Sequence, residues 1–147
     1  MKHSLVILTI LTTISFHSYS QTETQPVVSF NGFYIAKTGS VPAANIEIFT
    51  YLLFYEDGTV YLQSVSANDP QSVAKWFGRD KKFSQKGTYI IDGSGIVVNL
   101  TNKDTEDAKL EGIVETSFKG SIKPNNQLCL VRDKETEEKC FVFSKIP

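Results

Sequence analysis

Apolar residues along most of this chain recur with a period of two, the spacing that sends alternate side chains to opposite faces of a β-strand. Runs of this kind, parted by Gly, Asp, Asn and Pro, predict strands near residues 30–37, 46–55, 59–65, 87–91, 95–100, 110–122, 127–131 and 140–144. Eight short strands with regular turn signals predict an antiparallel sandwich or barrel. No internal repeat and no long low-complexity segment is present.

The sharpest local signal is Glu56-Asp57-Gly58 between two apolar runs. It fits a three-residue hairpin loop, a type I turn followed by Gly in the left-handed region. That loop pairs Tyr55 with Thr59, Phe54 with Val60 and Leu52 with Leu62. One face then carries Ile46, Ile48, Thr50, Leu52, Phe54, Val60, Leu62 and Ser64, almost wholly apolar or small. A two-residue Asp-Gly turn would slip the register and mix the faces. The opposite face carries Phe49, Tyr51, Leu53, Tyr55 and Tyr61, so a cover is expected there. Asp69-Pro70 and Gly78 bracket a short helix, with Val73, Trp76 and Phe77 on one stripe. The stripe either packs on the sheet or a barrel end, or forms a lid over a cavity mouth.

Segment 110–122 reads as one long strand with Leu110, Gly112, Val114, Thr116, Phe118, Gly120 and Ile122 on its buried face. Glu111, Glu115, Ser117 and Lys119 lie on the solvated face, and Ile113 breaks the pattern. Glycines on the buried side imply curvature or close approach of a neighbour, as when a sheet closes on itself. In the last hairpin, placing Cys129 opposite Cys140 pairs Leu128 with Phe141. Leu128, Leu130, Phe141 and Phe143 then share one face and the sulfurs the other.

The first twenty residues depart from this pattern. Lys2 precedes an apolar run from Leu5 to Phe16, and small residues stand at Ser18 and Ser20. That is the layout of a secretory signal peptide, too short for a stable bilayer span. Residues 1–20 are therefore read as a signal peptide, 21–28 as a loose polar leader and 29–147 as one domain, in a secreted or periplasmic protein. In that compartment Cys129 and Cys140 read first as a disulfide, with two buried free thiols as the other reading.

Export removes His3 and His17, the only histidines of the chain. A Ser-His-Asp or Cys-His arrangement is then impossible, and two thiolates alone cannot complete a zinc shell. Glu111 and Glu115 share a solvated face and read as solubility rather than paired-carboxylate catalysis. No phosphate-cradling loop or dinucleotide fingerprint occurs. The expectation is no enzyme, no cofactor and no metal. Formal net charge is −1 for the whole chain, with no basic stripe, so nucleic acid is not an expected partner. Lys75, Arg79, Lys81, Lys82 and Lys86 read as a solvated helix end and loop. Asn99-Leu100-Thr101 matches a glycosylation acceptor.

The stretch YLLFYEDGTVYLQSVSANDPQSVAKWF, from Tyr51 to Phe77, followed by Gly87-Thr88-Tyr89, resembles lipocalin-like barrels, small secreted bacterial proteins among them. The carriers are the Tyr-Leu-x-Phe-Tyr-x-Asp-Gly hairpin, the proline-led Val-x-x-Trp-Phe segment and the Gly-x-Tyr strand. Gly32-Phe33-Tyr34 stands where such barrels often have Gly-x-Trp. The resemblance implies an eight-stranded, antiparallel up-and-down barrel with one short helix after the third strand. It implies ligand binding only as a tendency of the class.

An eight-stranded barrel is just wide enough to be filled by side chains or to hold one small ligand. The inward candidates for a ligand site are Tyr34, Thr50, Ser64, Tyr89, Gly112, Thr116 and Phe118. Two readings follow. In the first, the barrel binds a small, mostly apolar ligand non-covalently. In the second, the barrel is filled and the outer aromatics or Trp76 meet a protein partner.

Overall fold

The computed structural model describes residues 27–79, 85–105, 108–109 and 112–146. The expected signal peptide, most of the leader, Lys81, Lys82, Leu110 and Glu111 lie outside the described residues. Eight strands, β1 (Gly32–Val41), β2 (Ile46–Phe54), β3 (Thr59–Val65), β4 (Gln85–Asp92), β5 (Gly95–Thr101), β6 (Glu115–Lys123), β7 (Gln127–Arg132) and β8 (Glu138–Lys145), follow one another in order. Each pairs antiparallel with its neighbour, and β1 pairs with β8, giving a closed up-and-down barrel. One short helix, α1 (Pro70–Ala74), follows β3.

The β2–β3 hairpin has the expected register, with Phe54 opposite Val60 and Leu52 opposite Leu62. The Tyr55 N–H donates to the Thr59 carbonyl at 2.9 Å, and the Gly58 N–H to the Tyr55 carbonyl at 3.1 Å. Gly58 sits at φ +82°, the left-handed residue of the loop. In β7 and β8, Leu128 faces Phe141 and Cys129 faces Cys140, and the two sulfurs are bonded.

Two apolar layers result from the period-two pattern. Inside the barrel lie Tyr34, Ala36, Leu52, Phe54, Val60, Leu62, Ile96, Val98, Leu100, Ile122, Leu128, Leu130 and Phe141. Outside it, Phe33, Phe49, Tyr51, Leu53 and Tyr61 are buried beneath Val73 and Phe77. The Phe33 ring stacks on Phe77 with centroids 5.6 Å apart and meets Tyr51 edge-on at 5.4 Å. The Asp69 side chain caps α1 by accepting from the Gln71 N–H at 3.1 Å. The helix is thus packed on the outer wall and is no lid.

Four expectations need correction. Val28, assigned to a loose leader, is only 2% exposed and belongs to the inner core. The strand expected from residue 110 starts at Glu115. Asn102 is the physical reason. Its side chain accepts from the Val114 N–H at 2.7 Å and donates to the Gly112 carbonyl at 3.0 Å, taking bonds that a longer ladder would use. Gly112, at φ +87°, and Val114 therefore lie in an exposed loop, off the inward face. Trp76 is 40% exposed rather than buried with Val73 and Phe77, its ring lying tilted 6.3 Å from that of Phe77. After Ala74 the Lys75 and Trp76 N–H groups bond three residues back, to the Ser72 and Val73 carbonyls at 3.3 and 3.1 Å, a tighter spacing than the α-helical stripe assumes. Finally, β1 continues past Lys37 through a bulge at Thr38 to Val41.

Gly58 and Gly120 give two contrasting tests. A Cβ on Gly58 meets nothing within 4 Å, so Gly58→Ala is expected to cost only the left-handed strain, about 1 kcal/mol, and Gly58→Asn less. A Cβ on Gly120 would run into the Cys129 carbonyl of the paired strand. Gly120→Ala is expected to destabilise well beyond Gly58→Ala in urea unfolding. Equal midpoints for the two variants would contradict this account.

Candidate functional site

The two ends of the barrel are built from different residues. At one end the inward positions carry large rings. Phe54 meets Tyr34 edge-on at 5.5 Å and Tyr89 edge-on at 5.0 Å, and Phe143 lies against Tyr34 at 5.3 Å. Both phenols are satisfied. The Tyr34 hydroxyl accepts from the Ser29 N–H at 2.8 Å, and the Tyr89 hydroxyl donates to the Tyr55 carbonyl at 2.8 Å. Val28 and Phe30 pack against the same cluster, and the Ser29 hydroxyl bonds to the Asn126 side chain at 3.1 Å. Aromatic side chains and the incoming N-terminal segment together plug this end.

The other end is open. A cavity of about 390 Å3 enters there, with Leu62, Phe118, Leu130 and Phe141 as its apolar surface. Hydroxyls occupy part of the wall. Thr38 Oγ1 lies 2.8 Å from Thr50 Oγ1, which lies 2.8 Å from Ser64 Oγ, a chain running across β1, β2 and β3. Thr116, on β6, is 7% exposed, and its hydroxyl has no hydrogen-bond partner. The rim carries charges of both signs. Arg132 lies 3.5 Å from Glu135, and Lys139 lies 3.8 Å from Glu137 while pointing its ammonium at the Thr38 carbonyl, 3.4 Å away.

The expected site residues separate into three groups. Thr50, Ser64, Thr116 and Phe118 meet in this cavity. Tyr34 and Tyr89 belong to the plug at the far end, where they close the barrel. Gly112 is in the loop ahead of β6 and lines no part of the cavity. Thr38 and the rim residues Arg132 and Lys139 were missed. Extending the Tyr34, Ala36 alternation by one further step reaches Thr38, but the strand was expected to end at Lys37. Arg132 and Lys139 sit at the ends of β7 and β8, inside a stretch whose charge reads as a solvated loop.

No family model, curated protein or solved structure matches this chain. What the site can do therefore rests on its own geometry. An open, half-apolar hollow with hydroxyls on its walls is suited to holding a molecule. Elsewhere, Arg79 is engaged by Asp57 at 2.6 Å and lies over the Tyr55 ring, and Lys86 lies over the Tyr61 ring. Those two cations are thus placed against aromatic surface, while Lys81 and Lys82 of the expected basic cluster lie outside the described residues.

Burial, and after it the charges of Asp57 and Glu56, raises the ionisation of Tyr89 above the ordinary phenol value. Burial, with a contribution from Asp69, does the same for Tyr51. A raised folded value means the neutral form is the one the fold favours. The stabilisation is complete below about pH 10, the unfolded phenol value, and is lost as pH rises through the folded values. Absorbance at 295 nm should show Tyr51 and Tyr89 ionising late and together with alkaline unfolding. Tyr89→Phe should remove one of them and cost about 1 kcal/mol, from the lost bond to the Tyr55 carbonyl.

Proposed function

We propose that this protein is an exported, lipocalin-like barrel that binds one small, mostly apolar molecule non-covalently at its open end. The observation that carries the reading is the difference between the ends, one plugged by Tyr34, Phe54, Tyr89 and Phe143, the other hollow over about 390 Å3. That volume is at the lower end of the range of small-molecule sites, about 300–1,000 Å3. The plug occupies the depth a long chain would need, so the ligand is compact.

Export is supported by the charged and apolar pattern of the first twenty residues and by the Cys129–Cys140 disulfide, which suits an oxidising compartment. Among the described residues no helix is long and apolar enough to cross a membrane. The reading as a protein-interaction module draws on Trp76, which is 40% exposed, and on an aromatic outer surface. Most of that surface, Phe49, Tyr51, Leu53 and Tyr61, is already buried beneath Val73 and Phe77.

Titration with N-phenyl-1-naphthylamine, a neutral probe that fluoresces in apolar surroundings, tests the proposal. Saturable one-to-one binding with a dissociation constant on the order of micromolar is expected. Ser64 stands at the exposed edge of the cavity, so Ser64→Phe should fill the entrance with little cost to the core. It is expected to weaken binding at least tenfold at a stability cost of about 1 kcal/mol, from the lost bond to Thr50. A wild-type protein that gives no saturable signal would reject ligand binding of this kind.

A further inference from the structure

The charges at the mouth of the open end are carried in two different ways. Along β7 the inward positions are Leu128, Leu130 and then Arg132. Along β8 they are Phe141 and, one step nearer the mouth, Lys139. Both cations therefore stand at inward strand positions, fixed by the ladder. Arg132 lies opposite Phe118 and Lys139 opposite Leu130, so each adjoins the apolar lining. The Lys139–Leu130 pairing also puts Arg132 on the diagonal from Lys139, a spacing of about 7–8 Å that long side chains can bridge. One head group can touch both.

Their counter-charges sit outside the ladder. Glu135 and Glu137 belong to the turn between β7 and β8. The Glu137 side chain is 77% exposed and that of Lys139 only 33%. The Lys139 ammonium reaches to the Thr38 carbonyl on β1, 3.4 Å away, and so stays at the cavity wall. The ion pairs, at 3.5 Å for Arg132–Glu135 and 3.8 Å for Lys139–Glu137, are loose and solvent-facing, and pairs of that kind hold weakly. The two glutamates nevertheless show which group these cations accept. A carboxylate that brings an apolar body gains burial on Leu62, Phe118, Leu130 and Phe141, which a glutamate of the turn does not.

We infer that the ligand is a compact organic carboxylate, its apolar body in the hollow and its carboxylate at the mouth between Lys139 and Arg132, in place of Glu137 and Glu135. The inference rests on the ligand-binding reading above and deepens it. Lys139 is the principal anchor, since it is the less exposed of the two cations. Charge and shape select together. A neutral molecule of the same outline loses the first contribution, and a small anion without an apolar body loses the second.

2-Naphthoate and 2-naphthamide, nearly one shape with and without the charge, test this by displacement of N-phenyl-1-naphthylamine at neutral pH. The wild type is expected to prefer the naphthoate by about tenfold or more, the weight of a charged hydrogen bond. Raising salt from about 0.1 M to about 1 M should shrink that preference, because the mouth is open to solvent. Lys139→Gln should remove most of the preference while leaving the affinity for the amide nearly unchanged. Lys139→Arg, which keeps the charge, should retain it. Glu137→Gln, which removes a competing carboxylate, should tighten naphthoate binding. Lys119→Gln, on the outward face of β6, should leave the preference as it is. Equal wild-type affinities for the two naphthalenes, or no displacement by either, overturn the carboxylate assignment while leaving ligand binding intact, and need no variant. A naphthoate preference that survives Lys139→Gln overturns the placement at Lys139. If N-phenyl-1-naphthylamine itself does not bind, the ligand-binding reading fails and the inference with it.

Discussion

The pairing of Gly32–Ile35 with Val142–Lys145 turns an eight-strand meander into a cylinder, and the cylinder fixes how much room every inward side chain has. Once closed, the barrel cannot widen at one level without breaking its ladder. Side-chain size at each level therefore decides whether that level is core or cavity. The inward residues run along a gradient. On β1 they pass from Tyr34 to Ala36 and on to Thr38, on β2 from Phe54 through Leu52 to Thr50, and on β3 from Val60 through Leu62 to Ser64. On β6 the order is Ile122, Gly120, Phe118 and Thr116. Rings and branched chains stand at one end and hydroxyls at the other, so the hollow follows from the order of residue types along these strands.

The outside of the barrel is held in two different ways. On the side of β1, β2 and β3, a second apolar layer does the work, with Val73 and Phe77 laid over Phe33, Phe49, Tyr51, Leu53 and Tyr61. This layer has its own polar ties, among them the Tyr51 hydroxyl donating to the Ala67 carbonyl at 2.8 Å. On the side of β7 and β8 no helix packs among the described residues, and the disulfide joins the strands on that outer face. The seam between β1 and β8 lies between these two reinforcements. Area burial on one flank and a covalent link on the other both act against opening the cylinder there, the disulfide mainly by restricting the unfolded chain.

Much of this was legible in the sequence because period-two alternation and turn chemistry are local. Glu56-Asp57-Gly58 fixed one register, and the cysteine pair fixed another. Closure was suggested by glycines on a buried face, and Gly120 does approach the neighbouring backbone closely. The failures came where distant groups intervene. Ile113 broke the alternation of the supposed long strand, and the strand is absent there because the Asn102 side chain captures Gly112 and Val114. Alternation says which face a residue shares but not which level it reaches along the barrel. Tyr34 and Thr116 were therefore both read as cavity residues, although one is plug and the other is wall. Bulges are equally hard to read, and the one at Thr38 hid the third hydroxyl of the chain.

The lining of the hollow end has a cost that packing alone does not explain. Thr116 holds a buried hydroxyl without a partner, a vacancy that typically costs about 1–3 kcal/mol. Valine at that position would occupy the same space, keep the strand preference and carry no such penalty. Leu100, directly opposite on β5, shows that apolar side chains are accommodated at this level.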